Sequence, residues 1–488
     1  MPEESGCGVC PVTDSPPSLY LLPNRSHLHH FRPHLRTIYW ATSEPATECH
    51  CACLNQLSKY LAVGMEGNRV AMQKAKMERP LKRGPDQNSL SSPIAKCPFM
   101  SCSSLKTLHS LYQGSFPFYR LPSEVGHFSL DENRQYHQDN RKLRYYSPPV
   151  GIRKKDSPGW NVMDGYESHY VRRNEEEKEG LLHILTWLEK NQSVLGTHVE
   201  GGSKRPIDRD FVTWRGHLTK LLCTPYETQE GWLLAVTLFK GTFYISERET
   251  EAARKKREER TQEQERLMYS GYKFESYICA DGPYGSDQMD ILQDNLKLRT
   301  VPDSPDRQPS QSAVVNTNEA YCSVLLARLT SHSLLISGEV DCTDPSAKSS
   351  IPPSSYIELK TSAQIRNPHQ QRSFNRYKLL KWWCQSFLLG IPIIVAGFRS
   401  QEGKIVSLET FKTSDIPHLV RGERNSWDPA VCMNFCNKFL SHIKAVVTKD
   451  DPRLVYLFAW EPGSDVTFTV HNDPEYTILP SWYVKAMN

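Results

Sequence analysis

The sequence contains no hydrophobic run long enough to cross a bilayer. The longest apolar stretch, Phe387–Phe398, spans twelve residues and is broken by Gly390, Pro392 and Gly397, whereas a spanning helix needs about 20. The first residues, MPEESGCGVC, lack a basic start followed by an apolar run, so no secretory signal is visible. These absences predict an intracellular protein with reduced cysteines. There is also little excess charge of either sign. Lys and Arg number 59 against 55 Asp and Glu, a net charge of +4. That is too mild to diagnose nucleic-acid binding, and it excludes nothing, because the local field around a groove is what counts. There is no internal repeat, and the composition is neither collagen-like nor that of a disulfide scaffold.

What is present is aromatic surface: 22 Tyr, 17 Phe and 10 Trp in 488 residues. A chain disordered throughout lacks such groups. At roughly 150 residues per domain, two to four domains or one large domain with appendages are expected. The texture is uneven. Seven of the 14 cysteines fall in the first 102 residues, a stretch rich in Pro, Ser and His without sustained apolar periodicity. Residues 78–95 read as a polar linker. Residues 1–112 are therefore expected to be an extension without stable order, and 113–488 a single catalytic domain. The Cys7-x-x-Cys10 pair, the nearby histidines and the Cys49-His50-Cys51-Ala52-Cys53 run could suggest zinc, but a C-x-C-x-C run strains one tetrahedral centre.

From Phe116 onward, periodic patterns follow one another. Glu179–Asn191 predicts an amphipathic helix, and Trp232–Ser246 predicts two strands turning at Lys240-Gly241. Glu249–Leu267 predicts one charged, exposed helix. Leu334–Asp341 and Tyr356–Lys360 predict neighbouring strands, paired as a hairpin. Arg372–Leu389 predicts a long helix. Pro392–Phe398 and Lys404–Phe411 predict strands, with Gly403 in the turn between. Asp428–Val447 predicts a helix capped by Asp428 with Pro429 in its first turn. Arg453–Trp460 and Asp465–Val470 predict closing strands. The fold class is α+β, with mixed and largely antiparallel sheets flanked by helices.

The informative residues are Gly338-Glu339-Val340-Asp341 and Ile357-Glu358-Leu359-Lys360. Strand side chains alternate faces, so Glu339 and Asp341 share one face, and Glu358 and Lys360 share another. Pairing the two strands would bring three carboxylates and one ammonium together. Acids alternating with apolar residues usually mark an ordinary solvated face. Here the apolar lead-ins predict central strands, where unpaired charge is costly. A divalent cation with hard oxygen ligands would cancel the repulsion. This E-x-K arrangement is that of metal-dependent nucleases built on a mixed sheet. Glu275, in Gly271-Tyr272-Lys273-Phe274-Glu275, reads locally as a surface glutamate. Arg215, between Trp214 and Gly216, could clamp a phosphate or form a structural salt bridge. Cys322 reads as packing.

Taken together, TWRGHLTKLL (213–222), GYKFE (271–275), GEVDCTD (338–344), YIELKTS (356–362) and KLLKWWCQSFLLG (378–390) resemble the vertebrate DXO family of decapping 5′–3′ exoribonucleases. GSFPFYRLPSE, LRYYSPP, VCMNFC, DDPRLV and SWYVKAM fit as well, and the resemblance runs from about Gly114 to Met487. It implies a hydrolase that removes incomplete and nonstandard caps, NAD caps among them, and then degrades RNA from its 5′ end. Hydrolysis of 5′-triphosphate ends is implied for some members. It implies two magnesium ions, with manganese able to substitute, held by Glu275, Glu339, Asp341, Glu358 and the Leu359 carbonyl. Lys360 and Gln385 would meet the reacting phosphate and its water. Arg215, with Trp214 and Gly216, would grip RNA, and Arg134, Glu179 and Cys322 would make further substrate contacts. A nuclear protein, with a cytoplasmic pool, is expected, acting as a monomer on RNA 5′ ends and not on membranes. Met77, opening MERPLKRGPD, resembles a family start. Two other readings stay open: a DNA nuclease on the same scaffold, and a non-catalytic partner of a larger nuclear exonuclease.

Overall fold

The chain divides into two units, residues 1–93 and 94–488. The computed structural model describes residues 104–148, 159–196, 198–200, 203–282 and 314–488, all in the second unit. The cysteine pattern and the Met77 segment lie outside the described residues. Ser104–Tyr112 belong to the folded unit, not to the extension. Leu105 bridges to Val466, and Tyr112 is buried edge-on against Phe435.

The elements that position the site run in this order: β1 Tyr119–Leu130, α1 Leu182–Lys190, β2 Phe211–Trp214, α2 Arg215–Cys223, β3 Trp232–Phe239, β4 Thr242–Arg248, α3 Glu251–Glu258, α4 Gln262–Ile278, β5 Ala320–Leu329, β6 His332–Glu339, β7 Tyr356–Ala363, α5 Leu379–Leu389, β8 Ile393–Arg399, β9 Ile405–Lys412, α6 Pro429–Val446, β10 Val455–Trp460 and β11 Thr467–His471. One sheet has nine strands in the order β11-β10-β3-β4-β2-β6-β5-β1, with Tyr136–His137 outermost. The other has six, in the order Cys279–Ala280, Tyr145–Tyr146, Cys342–Thr343, β7, β8, β9. Pairing is mostly antiparallel. β2 runs parallel to both β4 and β6, and β7 runs parallel to β8.

The alternation of side chains builds three apolar cores. Leu334 and Ile336 of β6 join Ile394, Ala396 and Phe398 of β8, together with residues of α2, α5 and α6. Leu335, between them on β6, faces the opposite way with Val212 and α1. Ile357, Leu359 and Val395 pack with Phe274 and Ile278 of α4. Helices α2, α5 and α6 thus share one core with both sheets. Each Leu, Ile or Phe buried there stabilises by roughly 1.5–3 kcal/mol.

Several local expectations match the structure. Lys240 and Gly241 both adopt positive φ, 51° and 76°, as a tight hairpin turn requires. Their amides donate to Asp450, which fixes the turn. Asp428 accepts from the Ala430 amide and caps α6.

Three expectations are corrected. The predicted helix over Glu249–Leu267 is two helices, broken before Thr261, whose hydroxyl and Gln264 form a reciprocal cap. The second, α4, runs on to Ile278 and carries the GYKFE segment. The predicted helix over Arg372–Leu389 contains a single π turn at Phe374–Lys378, between Pro368–Ser373 and α5. Most consequentially, Leu334–Asp341 and Tyr356–Lys360 are not paired strands. β6 ends at Glu339 inside the nine-stranded sheet, between β5 and β2. Only Cys342–Thr343 crosses over to pair with Tyr356–Ile357. The chain changes sheets at Val340-Asp341.

Candidate active site

That change of sheet creates the site. Glu339 ends a strand of one sheet, and Glu358 and Lys360 lie within a strand of the other. Asp341 sits in the crossover, where its Oδ2 accepts from the Leu359 amide at 2.6 Å. Glu275 approaches from α4 and lines a cleft of about 430 Å³ with Arg144, Tyr272, Tyr321, Glu339 and Asp341. A buried network ties the sheets together beside it. Glu124 of β1 accepts from Ser323 of β5 and from Tyr356 of β7, both at 2.6 Å, and the Tyr321 and Tyr356 hydroxyls are 3.0 Å apart.

The carboxylates divide into two electrostatic groups. Glu358 is buried, with the Lys360 ammonium 2.5 Å and the Arg215 guanidinium 3.2 Å from its Oε1. Burial opposes its charge, yet Lys360 and then Arg215 hold its carboxyl down to about 2. The other three are pushed up. Burial, then the Glu358 charge, raises Asp341 to about 7. Burial and Asp341 raise Glu275 well above the usual range, while Arg144 partly offsets this. Burial also raises Glu339, against the pull of Arg134 and Arg215. Glu339 is nevertheless open to solvent, so it lines a recess that a ligand can enter.

Among the described residues no three acidic, His or Cys side chains stand close enough to cage an ion as they are. Glu358 is engaged by two cations and Asp341 by a backbone amide. The donor chemistry still fits a divalent metal. The side chains supply hard oxygen ligands, and three carboxyls are mutually destabilised by charge that a dication would cancel.

The remaining predicted residues fall on two sides of this centre. Cys322 is directly opposite Glu339 on β5 and is buried, its thiol pushed up by burial. Arg134 forms a forked pair with Glu179, at 2.9 and 3.1 Å. Against burial, His183 and Arg134 lower Glu179 to about 2. The Trp214 indole donates to the Gly180 carbonyl at 2.8 Å, so it links α1's entry to the start of α2. A Cβ at Gly216 would meet nothing within 4 Å, so the space there is open. Gln385 is half-buried on α5, one turn before Leu389. Leu389 packs so close to Gly338 that a Cβ there would come within 2.8 Å of it, and within 3.0 Å of the Arg215 Cβ. Gln385 shares that face of α5.

Arg144 and Tyr272 line the cleft but stood out in no local pattern. Each lies within a segment that carries the family resemblance; Tyr272 stands one turn before Glu275 on α4, and only folding brings Arg144 beside Glu275. Arg173, six residues before Glu179 in sequence, also joins it at 2.7 Å.

Comparison with known proteins gives consistent results. The family described as RAI1 like PD-(D/E)XK nuclease matches residues 120–484. The decapping and exoribonuclease protein of Xenopus laevis is 86% identical over 424 residues, which is 87% of this chain and all of that protein. The human protein of the same name is 51% identical over 409 residues, 84% of this chain and 96% of that one. Among solved structures, Rai1 of Scheffersomyces stipitis superposes with a TM-score of 0.62 at 25% identity, covering 76% of this chain and 98% of that one. Rai1 of Candida albicans, solved in complex with pU5 and Mn2+, gives 0.63 at 23% identity, covering 79% and 99%. The fold of this family implies a divalent metal. The match runs through both sheets and the acidic junction between them, so the chain belongs to the RAI1-like PD-(D/E)XK nucleases and, within them, to the decapping and exoribonuclease (DXO) hydrolases.

Proposed function

We propose that the chain is a quality-control hydrolase of RNA 5′ ends. It removes incomplete and nonstandard caps, NAD caps among them, and then degrades the exposed RNA from 5′ to 3′, with 5′-triphosphate ends as further substrates. The observation that carries this reading is the meeting of Glu275, Glu339 and Asp341 with the Glu358–Lys360 pair at one sheet junction. Glu275, Glu339, Asp341, Glu358 and the Leu359 carbonyl would hold magnesium, with manganese able to substitute. Two such ions, when bound, supply an activated water and stabilise the leaving oxygen.

The protein groups do the rest. Lys360 places positive charge where it grows in the transition state. Gln385 orients the phosphate and its water. Arg215, Trp214 and Gly216 hold the strand near its 5′ end, and Arg134, Glu179 and Cys322 line the approach. One chemistry serves both cap removal and exonucleolysis if the bond cut always follows the first nucleotide. The proposed setting is nuclear, with a cytoplasmic pool, as a monomer. A purely structural role beside a larger exonuclease would not need these acids and Lys360 together.

The test is hydrolysis of RNAs bearing triphosphate, NAD, unmethylated-cap and methylated-cap ends, with and without magnesium, beside equivalent DNA. Metal-dependent release from nonstandard RNA ends is expected. Equal hydrolysis of DNA, or no turnover on any RNA end, would sink the reading.

A further inference from the structure

Beyond the acidic centre, the face of β7 that carries Glu358 and Lys360 continues to Ser362. That residue is two positions, or about 7 Å, further along the strand. The spacing is comparable to that between successive phosphates of an extended single strand. Ser362 is buried, and its hydroxyl accepts from the Lys378 ammonium at 3.0 Å. Lys378 ends the π turn and is open to solvent. Lys378 and Gln385 are seven residues apart, two turns of α5, and so share a face. Helix α5 and strand β7 therefore flank one track. Gln385 and Leu389 mark its end near Gly338 and Arg215, and Lys378 and Ser362 mark the other.

A second cation stands at that far end. Arg399 closes β8 opposite Ala363, and its Nε is buried without a hydrogen-bond partner. Among the described residues no carboxylate pairs with Lys378 or Arg399. Burial disfavours the charge on both cations, and Arg399 adds repulsion at Lys378. Such a pair is a poor element of stability and a good receptor for an anion. The π turn fits the same picture, since an extra residue in a helix commonly marks a functional position.

We propose that Lys378, supported by Arg399 and steadied by Ser362, binds the RNA phosphodiester one step downstream of the bond being cleaved, so that the strand leaves the centre along the track between β7 and α5. Lys378 is then a positioning residue for substrates of three or more nucleotides. The inference rests on the nuclease reading above.

The test uses 5′-monophosphorylated RNAs of two and five nucleotides, with the full chain and its K378A and K378R variants. Only the longer RNA has a phosphodiester beyond the scissile one. Single-turnover cleavage is measured beside equilibrium binding at two salt concentrations. K378A should weaken binding of the pentanucleotide about tenfold at low salt and reduce the salt slope by roughly 0.7, the value of one single-strand phosphate contact. Its loss on the dinucleotide should be no more than about twofold. K378R should restore most of the pentanucleotide affinity. Equal losses on both lengths, or unchanged pentanucleotide binding, would overturn the assignment. If the unaltered chain cleaves neither RNA, the nuclease reading fails, while the binding arms still judge Lys378.

Discussion

Arg215 and Lys360 grip the same carboxylate from different sheets. Glu358 Oε1 lies 3.2 Å from Arg215 Nη1 and 2.5 Å from Lys360 Nζ. Arg215 opens α2 directly after β2 of the nine-stranded sheet, whereas Lys360 shares β7 with Glu358. The two local readings of Arg215, salt bridge and phosphate clamp, therefore meet at one atom. With Glu358 held by two cations, a phosphate arriving at the cleft must compete with Glu358 for one of them, and a metal must compete with them for Glu358. Substrate entry and release of the Glu358 carboxylate are thereby linked.

Replacing Glu339 or Asp341 by Ala should lower single-turnover cleavage in magnesium by several powers of ten, because the ions they are proposed to hold would act on nucleophile and leaving group together. Titrating each variant with magnesium and manganese checks this. Near-normal turnover in either one would remove the metal-site assignment.

Lys360 and Arg215 should separate chemistry from binding. Lys360→Ala should slow cleavage while RNA still binds, since charge that matters in the transition state shows up in turnover. Arg215→Ala should slow cleavage and also weaken binding, with part of the loss tracking salt. Arg215→Lys should not fully rescue it, because an ammonium cannot reproduce the guanidinium fork. Normal cleavage with lost affinity in Lys360→Ala would reverse the roles.

Gly338→Ala tests the packing that aims Arg215. The added Cβ would fall 2.8 Å from Leu389 and 3.0 Å from the Arg215 Cβ, too close without movement of a strand or helix. A destabilisation of about 1–3 kcal/mol is expected, with a fall in RNA affinity. Urea melts and binding on the same sample read both effects. Wild-type values in the two assays would show that the junction is looser than this packing implies.

His217 should make stability depend on pH. Its Nε2 accepts from the Glu247 amide and its Nδ1 faces the Ile245 carbonyl and the Thr213 hydroxyl. The neutral ring satisfies these partners, and burial lowers its pKa to about 4. The unfolded chain, with a His near 6.5, takes up a proton first as pH falls. The contribution is therefore fully present above about 6.5 and is lost between there and about 4, to a limit of about 3 kcal/mol. Denaturant midpoints at pH 7.5 and 4.5 for the native chain and His217→Gln check this. The variant should lose part of the pH dependence, and an identical slope would count against the assignment.

Much of this was legible in the sequence because it is local. The turn at Lys240-Gly241 follows from backbone preference, and the Asp428 cap from a side chain two residues from its partner. The alternation that puts Glu358 and Lys360 on one face follows from strand geometry alone. The residue types on the two strands, three acids and a lysine, also pointed to metal-dependent chemistry. Tertiary structure decided what those faces meet. Glu339 and Glu358 looked like neighbours on a hairpin, and the side-chain pattern is the same whether two strands pair or belong to separate sheets. Only the competing partners, β5 and β2 for one strand and β8 for the other, resolve that choice. Glu275 read as a surface acid because nothing within its own helix reveals that Asp341 lies across from it. Arg144, Tyr272 and Lys378 carry no local mark, since their roles come from neighbours brought close only when both sheets close on α2 and α5.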